Sequence, residues 1–257
     1  MKIAIVTGAS SGVGREFVRQ IDRRETYDEI WVIARRHEYL EALQKEVGTR
    51  LRLLSYDLTN PKTFDALSIM MDEIQPDIRL LVNAAGTGKI GRYNDIHIQS
   101  EIATIDVNCR AMVWMSRLCL PYMTVGARII QMGSTAGFQP FPFFNVYAAT
   151  KAFVYRYSRA LRIEAAAQGV EVTVVCPYWI NDTEFIDKAQ HTLNSRYIRS
   201  FPLGSKKDDV VRRALNASEK HKSVCTPDVL STLHRAAGKI VPTVCLIGMW
   251  QVLRRVP

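Results

Sequence analysis

Cysteine is scarce and unpatterned. The five present (Cys109, Cys119, Cys176, Cys225, Cys245) are odd in number and show no C-x-x-C spacing, which excludes a disulfide framework and argues against a zinc site. They read as buried thiols in a reducing compartment, and so a cytoplasmic protein is expected. Long apolar runs are also missing. The longest, Ile240 to Leu253, is interrupted by Pro242, Gly248 and Gln251 and falls short of the roughly 20 residues a membrane span needs. The opening run Met1-Lys2-Ile3-Ala4-Ile5-Val6-Thr7 is too short for a signal peptide, so export is not expected. No Pro/Gly/Ser-rich linker, internal repeat or low-complexity tract divides the 257 residues. With 47% hydrophobic and 23% charged residues, composition fits one large globular domain burying its own core.

Acidic residues are fewest where basic ones concentrate. Net charge is +9, and from Arg196 to Pro257 twelve lysines and arginines face four acids, so the rest of the chain is almost neutral.

Short β-rich runs alternate with helical periodicity, the sequence form of stacked βαβ units around a parallel sheet. Strands are expected at Lys2–Thr7, Ile30–Ala34, Leu51–Tyr56, Ile78–Asn83, Ala127–Ser134 and Val170–Cys176, with a weaker seventh at Ser223–Thr226. Most are rich in Ile, Val and Leu on both faces, as strands covered by helices on each side should be. Helices are expected at Gly12–Arg24, Glu38–Val47, Pro61–Ile74, Ile98–Met123 and Asn145–Gln168. The predicted fold is a doubly wound α/β Rossmann-type sheet of about seven strands in a single domain, 1–257. An aperiodic insertion at about 178–204, carrying Pro202 and Gly204, crosses the sheet, and a C-terminal extension occupies about 227–257.

After the first strand comes Thr7-Gly8-Ala9-Ser10-Ser11-Gly12-Val13-Gly14, opening directly into a helix. Glycines here allow positive φ and bring backbone N–H groups close to a pyrophosphate, whose charge the helix N-terminus favours. The second strand of a dinucleotide fold normally ends in an acid that binds the ribose hydroxyls. That acid is missing: the strand ends Ile33-Ala34-Arg35-Arg36. Two guanidiniums cannot accept those bonds but can pair with a 2′-phosphate, and Arg15 is a candidate third charge. The expected cofactor is therefore NADP(H). Asp57, followed by Leu58, is placed to accept from the adenine amino group. The small residues of Asn83-Ala84-Ala85-Gly86 let an adenosine ribose lie against the backbone.

Tyr147 and Lys151 stand four residues apart on one face of the helix after the fifth strand. A phenol with a pKa near 10 is almost fully protonated at neutral pH, and a nearby cation favours its phenolate and moves it toward useful acid/base chemistry. Ser134 lies at the carboxyl edge of the sheet, where open α/β folds bind ligands. Its hydroxyl can hold a substrate carbonyl beside the phenol. No metal site is indicated.

With these residues in hand, the chain resembles the short-chain dehydrogenase/reductase family over almost its whole length, with a likeness to hydroxysteroid dehydrogenases. The resemblance implies that Thr7 through Gly14 form the cofactor turn and that Asp57 and Asn83 through Gly86 serve the adenosine. It implies a catalytic set of Asn108, Ser134, Tyr147 and Lys151. In that set Tyr147 exchanges a proton with the carbonyl oxygen and Ser134 orients the carbonyl. Lys151 lowers the tyrosine pKa and binds the nicotinamide ribose, while Asn108 holds a water that links Lys151 to solvent. One departure follows the sixth strand: Pro177-Tyr178 stands where the family usually has Pro-Gly, and Thr183, assigned to the cofactor carboxamide, comes about one residue late.

Phe138-Gln139-Pro140-Phe141-Pro142-Phe143-Phe144 supplies stiff apolar walls beside the reactive centre, suited to a bulky apolar ketone or alcohol. Phe138, Phe141, Tyr178 and Trp179 are the candidate substrate contacts, with Phe143 and Phe144 the better packing candidates. A hydroxysteroid or bile-acid-like compound is the first expectation, and a fatty-acyl or other lipid ketone the alternative. A protein of another class, sensing NADP without catalysis, would not need the Tyr/Lys/Ser/Asn set. Nucleic acid is not an expected partner, and a homodimer or homotetramer is. The basic tail could lie on an anionic membrane or form a lid, but docking on the protein's own surface or on a partner subunit is preferred.

Overall fold

The computed structural model describes residues 1–199, 201 and 203–254; Pro202 and the last three tail positions, Arg255 among them, lie outside the described residues. Seven strands, β1 (Lys2–Thr7), β2 (Glu29–Ile33), β3 (Leu51–Leu54), β4 (Asp77–Asn83), β5 (Arg128–Met132), β6 (Glu171–Val175) and β7 (Val224–Cys225), form one sheet in the order β3-β2-β1-β4-β5-β6-β7. All its pairs are parallel. Winding runs outward from β1 to β3 and then returns to β4 beside β1. The carboxyl ends of β1 and β4 therefore part at a topological switch point, the place where such sheets open a crevice.

Helices cover both faces because the strands are apolar on both. On one side α1 (Gly12–Arg24), α2 (His37–Gln44) and α8 (Lys207–Glu219) pack Phe17, Ile21, Leu40, Val210 and Leu215 on Ala4, Val6 and Val32. On the other, α3 (Lys62–Ile74), α5 (Ala111–Cys119) and α6 (Asn145–Ala165) pack Phe64, Leu67, Met115 and Leu161 on Ile5, Trp31 and Leu81. Each such fully buried side chain contributes about 1.5–3 kcal/mol of hydrophobic stabilisation. In α1 the inward residues Phe17, Val18 and Ile21 follow helical spacing, and Arg23 and Arg24 in its last turn suit the negative end of the helix dipole.

The expected single helix over 98–123 is interrupted. It comprises α4 (Ile98–Ile105), one π-helical turn (Asp106–Arg110), α5, and a 3-10 turn (Leu120–Tyr122) entered at Pro121. A π turn adds a residue to the helical repeat, which hydrophobic periodicity cannot register. Within the aperiodic 178–204 segment the structure forms the short helix α7 (Phe185–Gln190). Two further helices, α9 (Val229–Ile240) and α10 (Thr243–Leu253), follow β7. Asp228 starts α9 with a capping box, accepting from the Ser231 N–H at 2.7 Å. The cysteines are not uniformly buried: Cys245 is exposed and Cys109 partly so.

Candidate active site

The turn between β1 and α1 is held tightly against the sheet. Gly8, at φ 71°, donates its N–H to the Ile33 carbonyl at 2.8 Å. A Cβ on Gly8 would lie 2.8 Å from the Ala85 Cα, and one on Gly14 would lie 2.3 Å from the Gly8 carbonyl oxygen. Only glycine fits either place. Ser11 precedes α1 without a side-chain cap, and the first helical turn carries no acid. Its N–H groups and positive dipole end are thus open to an anion.

This turn forms one end of a cleft of about 440 Å³. Of the residues expected to bind cofactor, Gly8, Ser10, Ser11, Gly12, Val13, Gly14, Arg35, Arg36, Asp57, Leu58, Ala84, Ala85, Gly86, Pro177 and Thr183 line it. Ser134, Tyr147, Lys151, Phe141, Tyr178 and Trp179 line it as well. Asn83, Asn108 and Phe138 do not. Asn83 is buried beneath the floor, with its amide directed to the Ser116 hydroxyl at 3.5 Å. Phe138 turns away and packs edge-on against Tyr155, centroids 5.2 Å apart, and His234, at 5.9 Å.

At the end where a ribose 2′-phosphate would lie, Arg35 is exposed and forms no ion pair among the described residues. Arg36 reaches the Ser10 hydroxyl and the Glu184 carboxylate, both at 3.4 Å, and its guanidinium lies 3.9 Å from the Tyr39 ring centroid. Arg15 is not part of this group, because it is paired with Glu46 at 2.6 Å. Asp57 uses one carboxylate oxygen to accept from the Thr59 N–H and hydroxyl, both at 2.9 Å. The residues present fit a phosphorylated dinucleotide: an open helix N-terminus, a glycine cradle with no room for a Cβ, and two arginines at the strand end, of which Arg35 has no acid partner among the described residues and Arg36 is shared with Glu184.

At the other end, α6 brings Tyr147 and Lys151 to the cleft one turn apart. Ser134 begins the 3-10 turn Thr135–Phe138, its hydroxyl oxygen accepting from the Ala136 N–H at 3.1 Å. Tyr147 stacks on Phe144 and lies 5.3 Å from the Phe185 ring. Burial pushes the Tyr147 phenol up to about 12, opposed by its hydrogen bond to Ser134. Burial also draws the Lys151 ammonium down to about 8, and its Nζ donates to the Met132 carbonyl at 2.7 Å. Desolvation is the largest influence on the phenol, so its pKa stands above the ordinary value in this structure. At neutral pH the phenol keeps its proton.

Asn108 sits in the π turn, fully buried. Its Oδ1 accepts from the Thr87 N–H, and its Nδ2 donates to the Thr87 carbonyl and the Thr150 hydroxyl, each at 2.9 Å. It ties the segment after β4 to α6 instead of opening on the cleft. Lining residues that sequence reasoning missed include Thr87, Lys89, Phe185 and Ile186. Gly88 carried a usable signal, since a Cβ there would lie 2.7 Å from the Tyr147 ring. The other residues reach the cleft only through α7 and the loop it touches: Lys89 Nζ donates to the Lys188 and His191 carbonyls at 2.7 and 3.2 Å.

Comparison with known proteins agrees with this arrangement. A family model described as short chain dehydrogenase matches residues 2–194. The NADP-dependent 3-hydroxy acid dehydrogenase of Salmonella typhi is 34% identical over 186 residues, covering 71% of this chain and 74% of that one. Its counterpart in Escherichia coli K12 is 33% identical over 190 residues, with the same coverage of each. Among solved structures, a short-chain dehydrogenase from Sphingobium yanoikuyae in complex with NADPH superposes with a TM-score of 0.78 at 27% identity, covering 98% of this chain and 94% of that one. The glycine turn, the doubly wound sheet and these matches together establish that the chain belongs to the short-chain dehydrogenase family.

Proposed function

We infer that the protein is an NADP(H)-dependent oxidoreductase that interconverts a bulky apolar ketone and its secondary alcohol. One observation carries this reading. A protonated phenol and a serine hydroxyl share one end of a cleft whose other end presents Arg35, Arg36 and the α1 N-terminus. The cofactor, when bound, supplies the hydride chemistry. In reduction Tyr147 donates its proton to the carbonyl oxygen, and in oxidation the phenolate takes it back. Ser134 hydrogen-bonds the same oxygen and fixes the carbonyl beside the phenol. Lys151, beside Tyr147 in the cleft, would hold the nicotinamide ribose. Asn108 is a positioning residue that acts through Thr87 and Thr150.

Phe141, Trp179, Phe185 and Ile186 line the cleft with apolar surface near the phenol, which supports a hydroxysteroid or bile-acid-like substrate held in part by Tyr178 to Lys188. A second reading, a 3-hydroxy acid, is favoured by the name of the 34% identical relative and by Lys89 in the lining, which meets only backbone carbonyls and keeps its charge for a carboxylate, whereas Lys188 is paired with Glu184. NADPH consumption against steroid, bile-acid, acyl and 3-oxo-acid ketones decides between them. Turnover on the steroid or bile-acid ketones alone supports the first reading, and turnover confined to small 3-oxo acids the second. Tight NADPH binding with no turnover on any ketone would contradict both and leave a cofactor-sensing protein.

A further inference from the structure

The C-terminal helices α9 and α10 present two unlike faces. Their inner faces pack on the aromatic segment that follows Ser134. His234 donates its Nε2–H to Gln139 Oε1 at 2.9 Å, and Gly238 fits against the Phe138 backbone, where a Cβ would lie 2.9 Å from the carbonyl oxygen. Trp250 packs on Phe141 at 4.6 Å between ring centroids and donates to the Pro142 carbonyl at 3.1 Å, while Arg254 covers the Phe143 ring at 4.2 Å. Leu246 is also buried.

The outer faces are exposed and almost wholly apolar. Val229, Leu233, Ile240, Val244, Met249, Val252 and Leu253 are all more than half exposed, Ile240 at 82% and Val244 at 73%. No charged residue occurs between Lys239 and Arg254. A helix apolar on every side is ordinarily covered on every side, and contiguous exposed apolar surface marks an interaction site. None of the described helices is long and apolar enough to cross a membrane.

Charge decides what covers this face. From Val229 to Pro257 the sequence holds four lysines and arginines and no aspartate or glutamate. Lys239 is exposed at the end of α9. Arg199, also exposed, is brought to the far end of α10 by a 3.4 Å bond from its backbone N–H to the Arg254 carbonyl. Two copies meeting through this face would bring cations together with no acid from α9 or α10 to pair them, which disfavours self-association. An apolar surface with cations at the α9–α10 junction and at the far end of α10, and no acid within either helix, instead complements an anionic bilayer, where apolar side chains enter the acyl boundary and cations meet lipid phosphates and carboxylates. We propose that the outer face of α9 and α10 docks this protein on an anionic lipid surface. The docked face lies directly behind Phe141, the residue that joins Trp250 to the cleft.

Co-sedimentation of the full chain with vesicles tests this. Wild type pellets with phosphatidylcholine/phosphatidylserine vesicles at low salt, and pelleting weakens with added salt or with phosphatidylcholine alone. The double variant Met249→Glu/Val252→Glu, altered only at exposed positions, lowers the vesicle affinity at least ~10-fold with circular dichroism and NADPH binding unchanged. Three outcomes overturn the proposal: absence of wild-type pelleting on anionic vesicles, wild-type pelleting by the double variant, or sedimentation equilibrium in which the variant converts a dimer to monomer while neither protein binds vesicles. The last would identify a second copy as the occupant.

Discussion

Tyr147 stacks on Phe144 with ring centroids 4.2 Å apart and planes 15° from parallel. Phe144 is buried at the entrance to α6, so the phenol is positioned by packing as well as by its helix. Gly88 closes the same site: a Cβ there would stand 2.7 Å from the Tyr147 ring and 2.9 Å from that of Phe144.

Gly88→Ala is therefore expected to displace the phenol. Because a misplacement of about 1 Å can cost ~100-fold in rate, turnover should fall ~10- to 100-fold, with NADPH affinity barely changed because the glycine turn and arginines are untouched. Steady-state kinetics with a direct NADPH titration separates the two quantities. Equal loss of both would mean that the β4 end of the cleft had collapsed as a whole.

Replacing Arg35 with Asp and Arg36 with Ser should reverse cofactor choice. Hydrogen bonds to charged groups contribute roughly 1.5–3 kcal/mol each, so NADPH affinity should drop ~10- to 100-fold while NADH affinity holds or improves. Unchanged NADPH affinity would remove the 2′-phosphate from this strand end.

His234 makes stability depend on acid. Burial lowers its pKa from an ordinary 6.5 to about 4, so between these values the unfolded chain binds the proton and the folded chain does not. Stability from the neutral ring is fully present above pH 6.5 and lost as pH falls through about 4, a loss of ~1–3 kcal/mol. His234→Gln keeps a hydrogen-bonding group opposite Gln139 without the titration. Its melting temperature should fall less than wild type's over that window, and parallel curves for the two proteins would exclude His234 as the cause.

Local chemistry made the cofactor end legible before any coordinates. The glycine turn, the arginines in place of an acid, and the Tyr147/Lys151 spacing are each contained within eight residues or fewer, and their geometry follows from strand and helix repeats alone. What escaped depends on contacts distant in the chain. The π turn around Asn108 is a one-residue slip in a helix whose pattern looks continuous. Phe138 was assigned to the cleft by proximity to Ser134, yet Tyr155 and His234 claim it. The burial that raises the Tyr147 phenol comes from packing such as that of Phe144 and Phe185, which the spacing to Lys151 does not reveal. The outer face of α10 likewise depends on which of its apolar residues are buried, Leu246 and Trp250, and a helix apolar on every side does not show that in its sequence.

The central claim is that Tyr147 exchanges the proton with substrate, and Tyr147→Phe tests it most directly. The variant keeps the ring that stacks on Phe144 and loses only the hydroxyl. Measured with NADPH and the best ketone substrate, turnover should fall by ~100- to 10,000-fold, with NADPH affinity essentially that of wild type. Turnover within a few-fold of wild type would contradict the account and pass the proton to another group in the cleft.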